Sequence, residues 1–315
     1  MNYLESLDAA FKSLTVSDLG DSVLTDKKFE KFIEIIQEKN VLLKLAKFID
    51  MTSQVVHIDR TGFGGRVLRA GADAQGDHRD LTDGDKAKPD FFTNKLVAKE
   101  LVAVTGLYDT SLKRNIERGN FEDTLVELFA QRAGLDLEEF ALLADTDISY
   151  GTDDVLSLTD GWIKKAGKKL YSGDFDYSTD GIEAVFEAAI NAIDHKYIRN
   201  RANWIIATGF NEENEYRDKL KARGTSLGDS AQTSNQHLSY KGFPIVVVPH
   251  LSGKEIVMLT NPENMVWGVF DRVTIEKDRI PKARKTDFVL TFEGDAHYED
   301  ENAVVVAKIN EAQPE

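Results

Sequence analysis

Three patterns in this 315-residue chain have residue types and spacing that could do chemistry. Asp176, Ser178, Asp180, Gly181 and Glu187 fall on positions 1, 3, 5, 6 and 12 of an EF-hand calcium loop, where oxygen ligands and a glycine turn would enclose the ion. Glu183, however, takes the slot of a small apolar residue, and the stretch from Gly167 to Gly173 makes a poor entering helix. The same residues also read as a helix start, with Asp180 as N-cap and Glu183 completing a capping box. Gly224-Thr-Ser-Leu-Gly228 matches the G-x-S-x-G nucleophile elbow. That elbow needs a sharp strand-to-helix turn, whereas Ser226 follows a charged helical segment and precedes a Ser/Gln/Asn-rich loop. Gly62-Phe-Gly-Gly-Arg-Val67 begins like a dinucleotide fingerprint but ends on Val67, with no helix to follow. His57, His78, His195, His237, His250 and His297 show no ligand spacing, and Asp145, Asp147, Asp153 and Asp154 read as a solvated loop. No catalytic residue, cofactor site or metal site is expected.

Composition narrows the classes further. The chain has no cysteine, which excludes disulfides, thiolate metal sites and a cysteine nucleophile. Its formal charge of −15 is opposite in sign to what phosphate-backbone binding requires. No apolar run reaches bilayer-spanning length, and residues 1–30 lack the order of a signal peptide, so synthesis in the cytoplasm and no membrane partner are expected.

The elements follow from periodicity. Leu4, Leu7, Phe11 and Leu14 space a short amphipathic helix, and a stronger helix is predicted from Thr25 to about Phe48. Strands are predicted at Gln54–Asp59, Arg66–Arg69 and Leu96–Leu107. Between them lies a polar stretch, Gly71 to Pro89, with little to bury, which suggests a long two-stranded flap with a mobile tip. Asn120 is read as the cap of a long helix that Gly134 could kink. Further helices are expected over Ile182–Tyr197 and Asn211–Arg223, with strands at Trp204–Ala207, Ile245–Val248, Glu255–Leu259, Met265–Phe270, Arg272–Ile275, Asp287–Phe292 and Asn302–Ala307. Helices and strands do not alternate regularly, which makes the fold class α+β.

This order of parts resembles the tailed-bacteriophage major capsid proteins, the Hong Kong 97 fold family, over about residues 29 to 310. Glu139-Phe-Ala-Leu-Leu-Ala-Asp145 followed by Leu158-Thr-Asp-Gly-Trp-Ile163 is similar to the family's spine-helix exit. Tyr216-Arg-Asp-Lys-Leu-Lys221 and Gly242-Phe-Pro244 resemble the helix and return strand of its axial domain, and Phe288 to Ile309 resembles the paired strands that close its peripheral domain. The resemblance implies an N-terminal arm and helix at 1–52, an extended E-loop at 53–107 and a peripheral domain with a long spine helix at 108–179. An axial domain at 180–265 and peripheral return strands at 266–315 complete it. It further implies a structural subunit, not an enzyme, that packs against itself in hexamers and pentamers of an icosahedral head around double-stranded DNA. Expected partners are a portal protein, a decoration protein and a separate scaffolding protein, since only 28 residues precede the first strong helix. The location would be the virion, assembled in the host cytoplasm. Inter-subunit contacts are expected from the E-loop residues Phe63, Arg66, Arg69, Asp77, Arg79, Lys86, Lys88, Phe91 and Phe92. Lysine–asparagine cross-linking through Lys86, Lys88 or Lys95 is not expected. The rival readings are an encapsulin-type compartment enclosing cargo enzymes and, from another class, a hydrolytic or calcium-dependent enzyme.

Overall fold

The uninterrupted apolar runs of the C-terminal half need partners on both sides, and the fold supplies them. The computed structural model describes residues 40–62, 67–72, 75–80, 82–87, 90–108, 121–222 and 238–313. Six strands form one sheet in the order β5-β12-β9-β6-β8-β7: β5 (Lys168–Leu170), β6 (Ile205–Thr208), β7 (Ser239–Tyr240), β8 (Phe243–Val247), β9 (Ile256–Thr260) and β12 (Val304–Lys308). Its three middle strands are buried almost throughout, and their successive residues serve two different cores. Val304, Val306, Ile205, Ala207 and Met258 face one cluster; Val305, Ala307, Ile206, Val257 and Leu259 face the other. A strand buried on both faces has no polar alternation, which is why these runs read as continuous hydrophobes.

The second of those clusters is covered by α5 (Ile182–Ala192) and α6 (Phe210–Ala222). Ile182, Val185, Phe186 and Ala189 share the buried stripe of α5, and the Phe186 ring meets Tyr216 edge-on at 5.7 Å and Tyr240 at 5.5 Å. The helix stops at Ala192, short of the predicted Tyr197, because Ile193 turns extended. Its N-cap is Gly181 (φ 55°), not Asp180: Asp176 instead caps the short α4 (Tyr177–Asp180). Glu215 of α6 accepts the Ile182 N–H, doing the work expected of a local capping box.

The first cluster lies between this sheet and a four-stranded one, ordered β1-β10-β11-β4. Here β1 is Lys47–Met51, β4 is Lys99–Tyr108, β10 is Met265–Ile280 and β11 is Lys285–Tyr298. The long α2 (Phe121–Leu143) runs unbroken through Gly134 and buries Ala133, Leu137, Ala141 and Leu142 against the sheet. Gly161 follows close behind it: a Cβ there would stand 2.8–2.9 Å from backbone atoms of Ala141, Leu142 and Ala144, so only glycine fits. The next residue, Trp162, opens the short α3 (Trp162–Lys165) fully buried; its indole N–H donates to the His297 carbonyl at 2.9 Å, and the Tyr298 hydroxyl donates to the Trp162 carbonyl at 2.8 Å.

Several expectations are corrected. Phe48 does not end a helix: among the described residues of that expected span only α1 (Leu42–Leu45) is helical, and Phe48 lies in β1, pairing in parallel with β10 and packing on Trp267 at 4.9 Å. The expected helix at Leu4–Leu14 and residues 25–39 of the next one lie outside the described residues. The predicted strand Leu96–Leu107 is two strands that part at Ala98, because each half pairs with a different sheet. Residues 67–70 are not a strand, and Leu68 is 82% exposed. Met265–Phe270 and Arg272–Ile275 are one strand with an irregularity between Phe270 and Thr274. Finally, β11 and β12 do not pair with each other; the chain crosses from one sheet to the other at Glu299–Ala303.

Candidate assembly interface

The flap expected from the sequence is a two-stranded sheet, with β2 (Val55–Gly62) antiparallel to β3 (Asp90–Val97) from Val55↔Val97 to Gly62↔Asp90. Eight residues per strand give it a reach of roughly 27 Å. Its base is packed: Met51, Ile58, Leu96, Ala98 and Val266 form a small cluster of their own. Gly268 makes room for them, since a Cβ there would lie 2.7 Å from the Met51 sulfur and 3.0 Å from Leu96.

Polar contacts clamp the same base to the segment 295–300. The Val97 N–H donates to Asp295 at 2.9 Å, and the Asn94 amide donates to the Tyr298 carbonyl at 2.8 Å. Arg60 pairs with Asp300, and Lys47 with Glu299 at 2.6 Å. Asp295 is nearly fully buried and also receives Lys165 (3.2 Å) and the Thr159 hydroxyl (3.2 Å), so one carboxylate ties the flap, the exit of α2 and β11 together. Sequence reasoning missed this joint. No local signal marked it: Asp295 stands in the polar stretch Glu293-Gly-Asp-Ala-His297, beyond the strand expected at Asp287–Phe292.

Toward the tip the described residues are more organised than their composition suggested. Ala72 and His78 form an antiparallel bridge, and the Arg79 N–H donates to the Gly71 carbonyl at 3.0 Å. Thr82 and Asp85 close a capping box around a single 3-10 turn, Asp83–Asp85. The Thr82 backbone and hydroxyl donors, followed by the Arg79 and Arg69 charges, hold the Asp85 carboxyl below its usual range. Of the nine expected contact residues, Arg69, Asp77 and Lys86 are exposed, Lys86 pairs with Asp83, and the half-buried Arg79 pairs with Asp85 at 2.8 Å. Phe91 and Phe92 lie in β3; Phe63, Arg66 and Lys88 lie outside the described residues. Lys95 is exposed on β3.

The chemical patterns find other uses. Asp176 accepts from the Ser178 hydroxyl and the Thr179 N–H, and Glu187 is 2.8 Å from Lys241. Among the described residues no three His, Asp or Glu side chains converge as a metal site, and no helix is long and apolar enough to cross a membrane. Ser226 lies outside the described residues.

No family model matches the chain. Among curated proteins, "Putative prophage capsid protein YqbE" of Bacillus subtilis (strain 168) is 28% identical over 323 residues, spanning 99% of this chain and 100% of that protein. Among solved structures, a chain of the satellite phage P4 procapsid that includes the size determination (Sid) protein matches 98% of this chain and 96% of its own, with a TM-score of 0.65 at 15% identity. The chain has the phage capsid fold. The same fold recurs in the capsid of an empty GTA particle (TM-score 0.58, 12% identity, 99% and 100% covered) and in Mycobacterium phage Adephagia (TM-score 0.55, 12% identity, 100% and 99% covered).

Proposed function

We propose that this chain is a major capsid subunit of a tailed phage or prophage, a structural protein whose work is to pack against copies of itself. The observation that carries this reading is the end-to-end correspondence with a prophage capsid protein, 28% identical along the full length of both. The capsid fold supports it independently. In this reading α2 is the spine helix, the β2–β3 flap is the E-loop, and the axial domain expected at 180–265 is the six-stranded sheet with its two helices, which also takes in β5 and β12 from the stretches expected to be peripheral. The flap is suited to reaching a neighbour: its base is clamped, while His57, Asp59, Thr93 and Lys95 are exposed along its strands. Hexamers and pentamers would enclose double-stranded DNA without gripping it, since a subunit of charge −15 repels phosphate. A scaffolding protein, a portal and a decoration protein are the partners such a shell would use, and the virion is its location.

Expression of the chain alone and beside a candidate scaffolding protein, followed by sedimentation and negative-stain microscopy, tests the reading. Closed shells are expected, burying roughly 2,000–5,000 Å² per subunit. A chain that stays monomeric at high concentration under both conditions overturns it. Particles from the native host that hold cargo enzymes instead of DNA would favour the encapsulin-type compartment.

A further inference from the structure

Among the described residues the four-stranded sheet has an open side. β4 pairs with β11 along ten residues, and among the described residues nothing pairs with its other edge. The strand contains no proline and no register shift, and its charged residues, Lys99 and Glu100, stand together at one end, so the stretch from Leu101 to Tyr108 carries none of the devices that blunt an exposed edge. Glu100, Val102, Val104, Gly106 and Tyr108 alternate outward, with Val102 55% and Val104 63% exposed. Thr291 and Val289 stand beside those two valines on β11, carrying the apolar strip across the sheet to its rim. Below the same edge, β4, β11 and α2 do not close completely. A cavity of about 110 Å³ opens there, lined by Leu101, Ala133, Leu137, Leu290 and Phe292, with Asp136 and Val155 also on its wall.

Charge on this face is mostly acidic. Glu100 stands directly opposite Glu293, and neither has a hydrogen-bond or ion-pair partner among the described residues. Like charges facing each other across a strand pair cost stability. Glu276 and Asp278 are exposed farther across the sheet, beside Val289 and Asp287. Lys285, the cation that the register places on this face of β11, is held by Asp287 at 2.8 Å.

We infer that the free edge of β4 is a docking site for an extended segment of a partner protein, which adds a fifth strand, alternates β-branched apolar residues, and carries a basic residue where it passes Glu100. Edge addition satisfies the row of unpaired backbone groups, and side-chain pockets beside the strand give selectivity. One inward side chain of the segment would fill the cavity above Leu137. Its outward neighbours would cover Val102 and Val104, and its cation would relieve the Glu100–Glu293 repulsion. The inference stands on the sheet edge and does not depend on the capsid reading.

The test uses the full chain and a fluorescein-labelled hexapeptide, Lys-Val-Thr-Val-Thr-Val, with a twin whose first residue is Glu, followed by fluorescence anisotropy. Saturable binding of the Lys peptide is expected, about tenfold tighter than that of its twin. Glu100→Lys should reverse the preference, and Val104→Glu should abolish binding of both while circular dichroism stays unchanged. Three results overturn the inference: no saturation by millimolar peptide, equal binding of the two peptides, or an unchanged preference in Glu100→Lys. A wild-type dimer that Val104→Glu dissociates also overturns it, because a second copy would then own the edge.

Discussion

Glu138 and His297 are buried titratable groups whose pKa values move for related reasons but with opposite consequences. Glu138, 1% exposed on α2, accepts the Val41 and Leu42 N–H groups at 3.0 and 2.8 Å and so caps α1. Burial raises its pKa despite those two donors. Its favourable contribution is therefore present below the ordinary glutamate range and is lost as pH rises through the raised value. Glu138→Gln keeps one acceptor and removes the buried charge, so it should change stability by less than about 1 kcal/mol at pH 7. Glu138→Leu strands two buried donors and should cost about 2–4 kcal/mol, read from urea midpoints. His297 packs with its Nδ1 2.8 Å from the Tyr298 nitrogen, and burial first, then Lys165, lowers its pKa against the opposing pull of the Tyr298 backbone and Asp295. Stability from that arrangement is present above the ordinary histidine value and drains away as pH falls toward the lowered one. The wild type should lose more stability than His297→Gln between pH 7 and pH 5. A stability gap between the two that does not change with pH would show that the imidazole is not the titrating group.

At the scale of elements, the flap can be separated from the body that holds it. Its base is fixed by Asp295, Asn94 and the cluster around Leu96, whereas the contacts of the tip, such as Arg79 with Asp85 and Lys86 with Asp83, are local to the tip. Deleting Ala72 to Lys88 should therefore leave the melting transition of the isolated subunit nearly unchanged and abolish shell formation. Normal shells from the deletion variant would show that the flap is not an assembly element. Hydrogen exchange at Gly71–Lys86 should be fast in the free subunit, since single turns and exposed ion pairs protect little, and slow in the shell.

At the scale of the whole molecule, the two large cores meet through one sheet. β6, β9 and β12 each contribute residues to both, so neither core can dissolve without exposing the other's wall. Unfolding should be a single cooperative transition. Phe186→Ala on one side and Phe292→Ala on the other should each cost about 3–5 kcal/mol and lower the same calorimetric peak. Two resolved peaks, each moved by one variant, would mean that the sheets fold separately.

Much of this architecture was legible before any coordinates. The apolar runs at Ile205, Ile256 and Val304, the helical stripe of Ile182, Val185, Phe186 and Ala189, and the polar insertion between two strands are local signals, set by side-chain periodicity and turn chemistry. The sequence by itself therefore determined the number and kind of most elements, the flap, and the likeness to the capsid family. Pairing was decided elsewhere. Val304 could have continued beside β11 but lies against Thr260, because a run without polar alternation must be covered on both faces. Leu96 and Leu107 read as one strand until Asp295 takes the Val97 N–H and the chain divides at Ala98. Phe48 reads as helical until Trp267 offers it a strand partner. The buried carboxylates Glu138 and Asp295 each satisfy donors nearly a hundred residues away or more, in pairings that no local window of sequence contains. Tertiary structure decided those matters because burial, which drives them, is a property of the folded surroundings and not of the residue.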